Sequence, residues 1–182
     1  VAFDEMDINT ASVKSGQNSR NVVVACRCIN VGLFLSGNLR RDVEVSILLG
    51  KHDDVRSITF PGSSLKRVSP DERSIAFFLL KAHTVLEKMH PSSKRTMDNG
   101  IIVNRTTLKD ILGKWGIEEC YIASQEFNAC SDYSHISDSG LFLYDMLSDY
   151  SDLEDYPAKP LPRPPHPERF ILEINLTCDN KL

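Results

Sequence analysis

The chain has 182 residues and 20.5 kDa, with 21 Lys and Arg against 25 Asp and Glu, for a net charge of -4. That length reads as one domain, or one domain with a tail. A hydrophobic content of 41% with 25% charged residues excludes global disorder and collagen, and no apolar run reaches the ~18 residues of a membrane-spanning helix.

Residues 1–20 are mostly polar and read as loop or frayed terminus. The run VVVACRCINVGLFLS (22–36) is long enough to be a helix, although its valines also suit a strand. Gly37-Asn38 stops it. VEVSILL (43–49) and VRSITF (55–60) read as strands, the second alternating and ended by Pro61-Gly62. Residues 70–89 carry an amphipathic helix with Ile75, Phe78, Leu79, Ala82, Leu86 and Met89 on one face. Ser69 is its expected N-cap, with Pro70 at N1 and Glu72 at N3. IIV (101–103) is a short strand, and Thr107 with Asp110 opens a short helix that Gly113 and Gly116 weaken. ECYIA (119–123) and LFLY (141–144) are further strands, separated by a polar loop. PAKPLPRPPHP (157–167) holds six prolines and reads as polyproline-like spacer or surface arm. RFILEINL (169–176) reads as a strand. The alternation argues an α/β domain with a mainly parallel sheet and helices on both faces. Its expected parts are a core over 1–144, an acidic and proline-rich segment over 145–168, and a C-terminal strand or tail over 169–182.

Charge divides along the chain. Residues 1–116 carry 17 Lys and Arg against 12 Asp and Glu, or +5, whereas residues 117–182 carry 4 against 13, or -9. The basic part permits an anionic partner such as RNA.

The five cysteines are an odd set in a chain large enough to do without staples, and they read as reduced thiols inside a cell. Cys26 and Cys28 flank Arg27, but a C-x-C pair without a partner pair at zinc spacing is a weak metal signal, so no metal site is assigned. The chain opens on Val1 with no signal-peptide pattern, and a Val at position 1 reads as a trimmed or processed start. The sequence lacks a phosphate-binding glycine motif, a G-x-S-x-G elbow and H-E-x-x-H. No two of its histidines have catalytic or metal-ligand spacing. The basic residues are more informative. Arg27, Arg40, Arg41, Lys66, Arg67 and Arg73 sit on helix ends and loops that could meet at one sheet edge as a phosphate-binding rim. Capping alone would account for Ser69, Pro70 and Glu72, but not for so many cations.

The ordered combination of C-R-C, an R-x-D-V strand and G-S-x-L-x-x-x-x-P-D-E-R-S is carried by CRCINVGLFLSGNLRRDVEVSILL (26–49) and ITFPGSSLKRVSPDERSIAFFLLKA (58–82), with NGIIV (99–103) following. Over about residues 20–123 it resembles the archaeal tRNA pseudouridine-54 N1-methyltransferases of the SPOUT class. The resemblance implies a SPOUT-like α/β fold with a C-terminal trefoil knot, a cytoplasmic homodimer, S-adenosylmethionine as cofactor and tRNA as partner. It also implies a first strand lying before Val1. Arg27, Asp71 and Arg73 are the implied catalytic side chains, Leu143 and Asp145 the cofactor contacts, and Arg40, Arg41, Lys66 and Arg67 the RNA contacts. The chain departs from the family after residue 144. Where the family has G-D-H-x-G, Asp145 is followed by Met146, Leu147, Ser148 and Asp149, and where it has H-A-D-H-C the chain offers ERFILEINLTCDNKL, with Cys178 a faint echo. Two other readings therefore stay open: a non-catalytic SPOUT-like protein that binds RNA or a ribonucleoprotein, and an interaction module acting through its acidic, proline-rich tail.

Overall fold

A computed structural model describes residues 1–51, 53–115, 119–124, 133–137, 139–147 and 158–181. The acidic run over 148–157, His52 and Cys130 lie outside the described residues.

Strands β1 (Ala2–Phe3), β4 (Glu44–Leu49), β5 (Val55–Pro61), β7 (Ile102–Thr106) and β6 (Ser93–Thr96) form one sheet in the order β1-β4-β5-β7-β6. Strands β8 (Cys120–Ser124), β9 (Leu141–Leu143) and β10 (Lys159–Pro162) form a second in the order β10-β8-β9. A parallel bridge between Ala2 and Asp145 joins them, with Ala2 N donating to Tyr144 O at 3.0 Å and Met146 N to Ala2 O at 2.7 Å. The α/β class is as the sequence predicts, and the sheet is mixed. β4, β1 and the three C-terminal strands pair in parallel, whereas β5, β7 and β6 extend the sheet antiparallel. The antiparallel half has a local cause. Only the five residues 50–54 join β4 to β5, far short of the dozen or more that a parallel crossover requires.

Helices α1 (Thr10–Ser15), α2 (Arg20–Leu33), α3 (Glu72–Leu86) and α5 (Pro167–Asp179) cover one face, and α4 (Leu108–Leu112) the other. Strand alternation sorts the side chains. Val45, Ile47, Leu49, Ile58, Phe60 and Val103 meet Val22, Ile29, Ile75 and Leu79 in the main core, while Leu48, Val55 and Leu143 meet Leu108 behind it. Gly32 marks where α2 crosses β4 and α5, since a Cβ there would lie 2.4 Å from Val45 Cγ2. A short hairpin of β2 (Phe34–Leu35) and β3 (Asn38–Leu39) follows α2.

Four expectations are corrected. Residues 1–20 are ordered: β1 sits inside the sheet, and α1 carries a capping box between Asn9 and Ser12, closed by left-handed Gly16. The N-cap of α3 is Asp71, whose carboxylate accepts from Ser74 N at 2.8 Å, and Ser69 N instead donates to Ser74 Oγ. The proline run is partly a strand, β10. Among the described residues its single partner is β8, so prolines that would break a central strand are tolerated at this edge while Leu161 is buried. Residues 169–176 are helical. Pro167 opens α5 at its first turn, and Phe170 and Ile174, one turn apart, are its buried side.

Candidate functional site

Two of the cation-bearing loops meet, Arg40–Val43 and Gly62–Arg67. Gly62 N donates to Val43 O at 2.9 Å and Arg41 Nη1 to Gly62 O at 3.0 Å, so the loop before β4 lies against the loop after β5. The fit demands glycine, because a Cβ at Gly62 would come within 1.8 Å of Arg40 O. Lys66 N bonds Asn99 O at 2.9 Å, bringing in the turn before β7. Arg41, Lys66 and Arg67 are exposed there, Arg67 at a left-handed φ of 63°. Arg40 is the exception among the implied RNA contacts. Its guanidinium is bidentate to Asp179, at 2.6 and 2.5 Å, and ties the end of α5 to the end of β3. Its charge is answered within the fold.

The implied catalytic trio separates. Asp71 is occupied by its cap, and Arg73 is exposed on α3. Arg27, on the outer side of α2, lines a groove of about 310 Å³ with Cys26, Asn30, Val31, Glu72 and Glu168. The groove lies where α2, the start of α3 and the start of α5 meet. Asn30 Nδ2 donates to Pro70 O at 2.8 Å and Asn18 Nδ2 to Glu72 Oε1 at 2.8 Å, which fixes the α3 end. Arg27 Nη1 stands 3.6 Å from Glu168 Oε1, while Glu168 Oε2 is buried and accepts no hydrogen bond among the described residues. A guanidinium facing a carboxylate in a cleft of this size suits a small planar polar ring. Cys26 contributes wall, not chemistry: burial pushes its thiol up to about 12, as it does that of Cys28, so neither supplies a thiolate. No cluster able to hold a metal ion occurs among the described residues.

The second centre is at the carboxyl ends of the parallel strands, where open α/β sheets bind ligands. Asp145 follows β9 and Arg163 follows β10. Arg163 Nη1 bonds Asp145 Oδ2 at 3.2 Å and Ala123 O at 3.1 Å, and Nη2 bonds Asp145 O at 2.6 Å. The guanidinium also lies 4.2 Å from the Tyr144 ring centroid, and Tyr144 Oη donates to Pro164 O at 2.6 Å. Arg163 thus clasps the ends of β8 and β9 as the chain passes over them toward α5. Asp145 is 1% exposed, and its Oδ1 accepts no hydrogen bond among the described residues. Burial holds its carboxyl above the usual range, with Arg163 offsetting part of the effect. Leu143 is buried on the opposite face, beside Leu147 and Leu108.

Arg27 and Asp145 are thus brought into the two centres that could bind small molecules. No motif singles out Glu168 or Arg163. The only available signal was a lone arginine within a proline run and a glutamate beside a helix-opening proline.

Residues 6–127 match the family described as "Putative SAM-dependent RNA methyltransferase". The tRNA (pseudouridine(54)-N(1))-methyltransferase of Methanococcus maripaludis strain C5 is 41% identical over 98 residues, 53% of this chain and 48% of that protein. The protein of that name from Haloferax volcanii is 30% identical over 136 residues, 75% of this chain and 66% of that one. A shorter stretch of the Haloarcula marismortui protein, 59 residues, is 48% identical, covering 32% and 28%. The chain spans about half the length of most of the curated relatives it matches.

Proposed function

Because the chain belongs to the SPOUT-class family of SAM-dependent RNA methyltransferases, we propose that it takes part in methyl transfer from S-adenosylmethionine to N1 of a pseudouridine in tRNA. The observation that carries this reading is the groove around Arg27. An arginine beside the reacting ring stabilises the anion that develops as its N–H is lost, and a fixed groove holds the ring in line with the donor. Glu168 opposite it would accept the departing N1 proton through Oε2, which has no hydrogen-bond partner among the described residues.

The cofactor fits the second centre on one structural count. Asp145 Oδ1 is a buried acceptor with no donor among the described residues, next to the strand ends where such ligands lie. Asp145 would accept from the cofactor's hydroxyl or ammonium groups, with Arg163 keeping its carboxylate oriented. When bound, the cofactor supplies an electrophilic methyl group. Arg41, Lys66 and Arg67 would hold the RNA backbone by charge without reading its sequence.

A cytoplasmic location and a homodimer belong to the same reading. No helix among the described residues is long and apolar enough to cross a membrane. On α5, Leu172 and Leu176 stand one turn apart and exposed, an apolar stripe that a second copy would cover.

Calorimetric titration with S-adenosylmethionine, alongside tRNA binding by filter retention, tests the proposal. Saturable binding of both is expected. tRNA binding without cofactor affinity at millimolar concentration would leave the non-catalytic RNA-binding reading, and binding of neither would overturn RNA as the partner.

A further inference from the structure

The solvent side of α3 carries a feature that neither the groove nor the strand-end centre uses. Phe77 is 44% exposed in the middle of this helix. It belongs to a line of exposed residues, Arg73, Phe77, Lys81, Thr84 and Lys88, which begins on α3 and runs just past its end. Steps of three and four place them along one side of the helix, over about 22 Å at 1.5 Å per residue. Three of the five are cations and none is acidic. Of the acids on this helix, Asp71 caps its first turn and Glu72 accepts from Asn18, while Glu87 stands on the flank, 3.8 Å from His83.

The aromatic ring is held in place. Phe78, packed on the core, meets Phe77 edge-on, with centroids 5.3 Å apart and planes at 76°. Lys81 Nζ lies 4.4 Å from the Phe77 centroid, so a cation rests on the ring. A core function does not explain an exposed ring, since Ile75, Ala76, Leu79, Ala82 and Leu86 form the buried side of the helix. Lys66 and Arg67 are exposed in the loop that leads into α3.

We infer that the Arg73–Phe77–Lys81 face of α3 is a docking surface for single-stranded RNA, on which one unpaired base stacks against Phe77 while Arg73, Lys81 and Lys88 meet flanking phosphates. The occupant follows from charge and shape together. Stacking platforms for single strands combine an aromatic face with a cationic track, and they tolerate any base because every base has a π-face. Lys81 is suited to leave the ring as the base arrives, since its ammonium then reaches a phosphate on a flexible stem. The inference rests on RNA being the partner and adds a site outside the groove, one that takes a nucleotide other than the reacting one.

The test uses the intact chain with fluorescein-labelled hexauridine, a long G·C-rich RNA duplex as the paired strand, and a full tRNA transcript, read by fluorescence anisotropy. Phe77→Ala should weaken hexauridine binding about tenfold, within the range of base–aromatic stacking. Phe77→Leu, which keeps an apolar side chain, should weaken it by a similar factor, and Phe77→Trp should restore or tighten it. The paired strand should bind more weakly than the single strand and should not respond to Phe77. Circular dichroism confirms that each variant is folded; at an exposed helix position the three should melt together. Wild-type RNA binding that is indifferent to all three substitutions would overturn the platform and leave the proposed function standing. Absence of RNA binding by the wild type would overturn both. A concentration-dependent dimer in sedimentation that Phe77→Ala abolishes would assign the face to a second copy and overturn the inference.

Discussion

Arg163→Met removes the clasp over the carboxyl ends of β8 and β9. It deletes the hydrogen bonds to Ala123 O, Asp145 O and Asp145 Oδ2 and the stacking on Tyr144. Asp145 is 1% exposed and stays where it is, now a buried carboxylate with no cation beside it. Removing one partner of a buried pair costs about 3–5 kcal/mol, because the remaining charge is left desolvated. For a chain of this size each kcal/mol moves Tm by about 2–4 °C, so the variant should melt about 10 °C lower. The loss should also depend on pH. Burial already holds the Asp145 carboxyl above the usual range, and Arg163 opposes that effect. Without Arg163 the carboxyl rises further. A group with a raised folded pKa favours the fold when protonated and opposes it once ionised, so the deficit is largest at pH 8 and narrows as pH falls toward the carboxylate range. Urea unfolding of both proteins at pH 8 and pH 5 reads this directly. Adding Asp145→Asn to the variant removes the buried charge and should recover part of the loss. A deficit below about 1 kcal/mol, or one equal at the two pH values, would refute the reasoning.

Arg27→Ala should lower methyl transfer by about 10²–10³, the usual effect of deleting a donor at a developing anion, while Tm stays put because its side chain is 60% exposed. Gly62→Ala should cost about 3 kcal/mol in denaturant unfolding, since its Cβ meets the Arg40 carbonyl at 1.8 Å and backbone must move. It should also weaken tRNA binding, because the same loop carries Lys66 and Arg67. Asp179→Asn should lose less than about 1 kcal/mol, because the Asp179 side chain is 43% exposed and solvent screens the pair. Arg40 lowers the Asp179 carboxyl, so this contribution is present above the ordinary carboxylate pKa and disappears as pH falls through the lowered one. The difference in urea midpoint between variant and wild type at pH 7 should therefore narrow as pH is lowered below the ordinary carboxylate range.

The parts legible from sequence were those in which a single period or cap decides. β4, β5 and the Thr107–Asp110 cap fall within a residue of their expected bounds, whereas α2 and α3 each end three residues early, at Leu33 and Leu86, and Phe34 and Leu35 pass into β2. The misreadings came where two local signals compete. Ser69 and Asp71 both suit a cap by residue type, and Asp71 is the one that accepts from a helix N–H, that of Ser74. RFILEINL has strand composition, but Pro167 fixes a helical first turn and α2 offers a surface along which Asn175 reaches the Val31 and Gly32 carbonyls. The prolines of β10 forbid a central strand, yet do not forbid an edge.

The site was legible only in part for a related reason. Arg27 and Asp145 stand out by motif, but their partners Glu168 and Arg163 come from a segment whose composition suggests an arm. Arg40, an implied RNA contact, is paired with Asp179, 139 residues later in the chain. Sequence placed the cations on loops; only folding showed which were already paired.

The most direct test of the account is the product itself. The intact chain is incubated with S-adenosylmethionine and a tRNA carrying pseudouridine in its T-arm, and the nucleosides are resolved by mass spectrometry. The account predicts N1-methylpseudouridine that appears only with the cofactor and falls sharply in Arg27→Ala. No methylated nucleoside, from protein that binds both cofactor and tRNA, would contradict it.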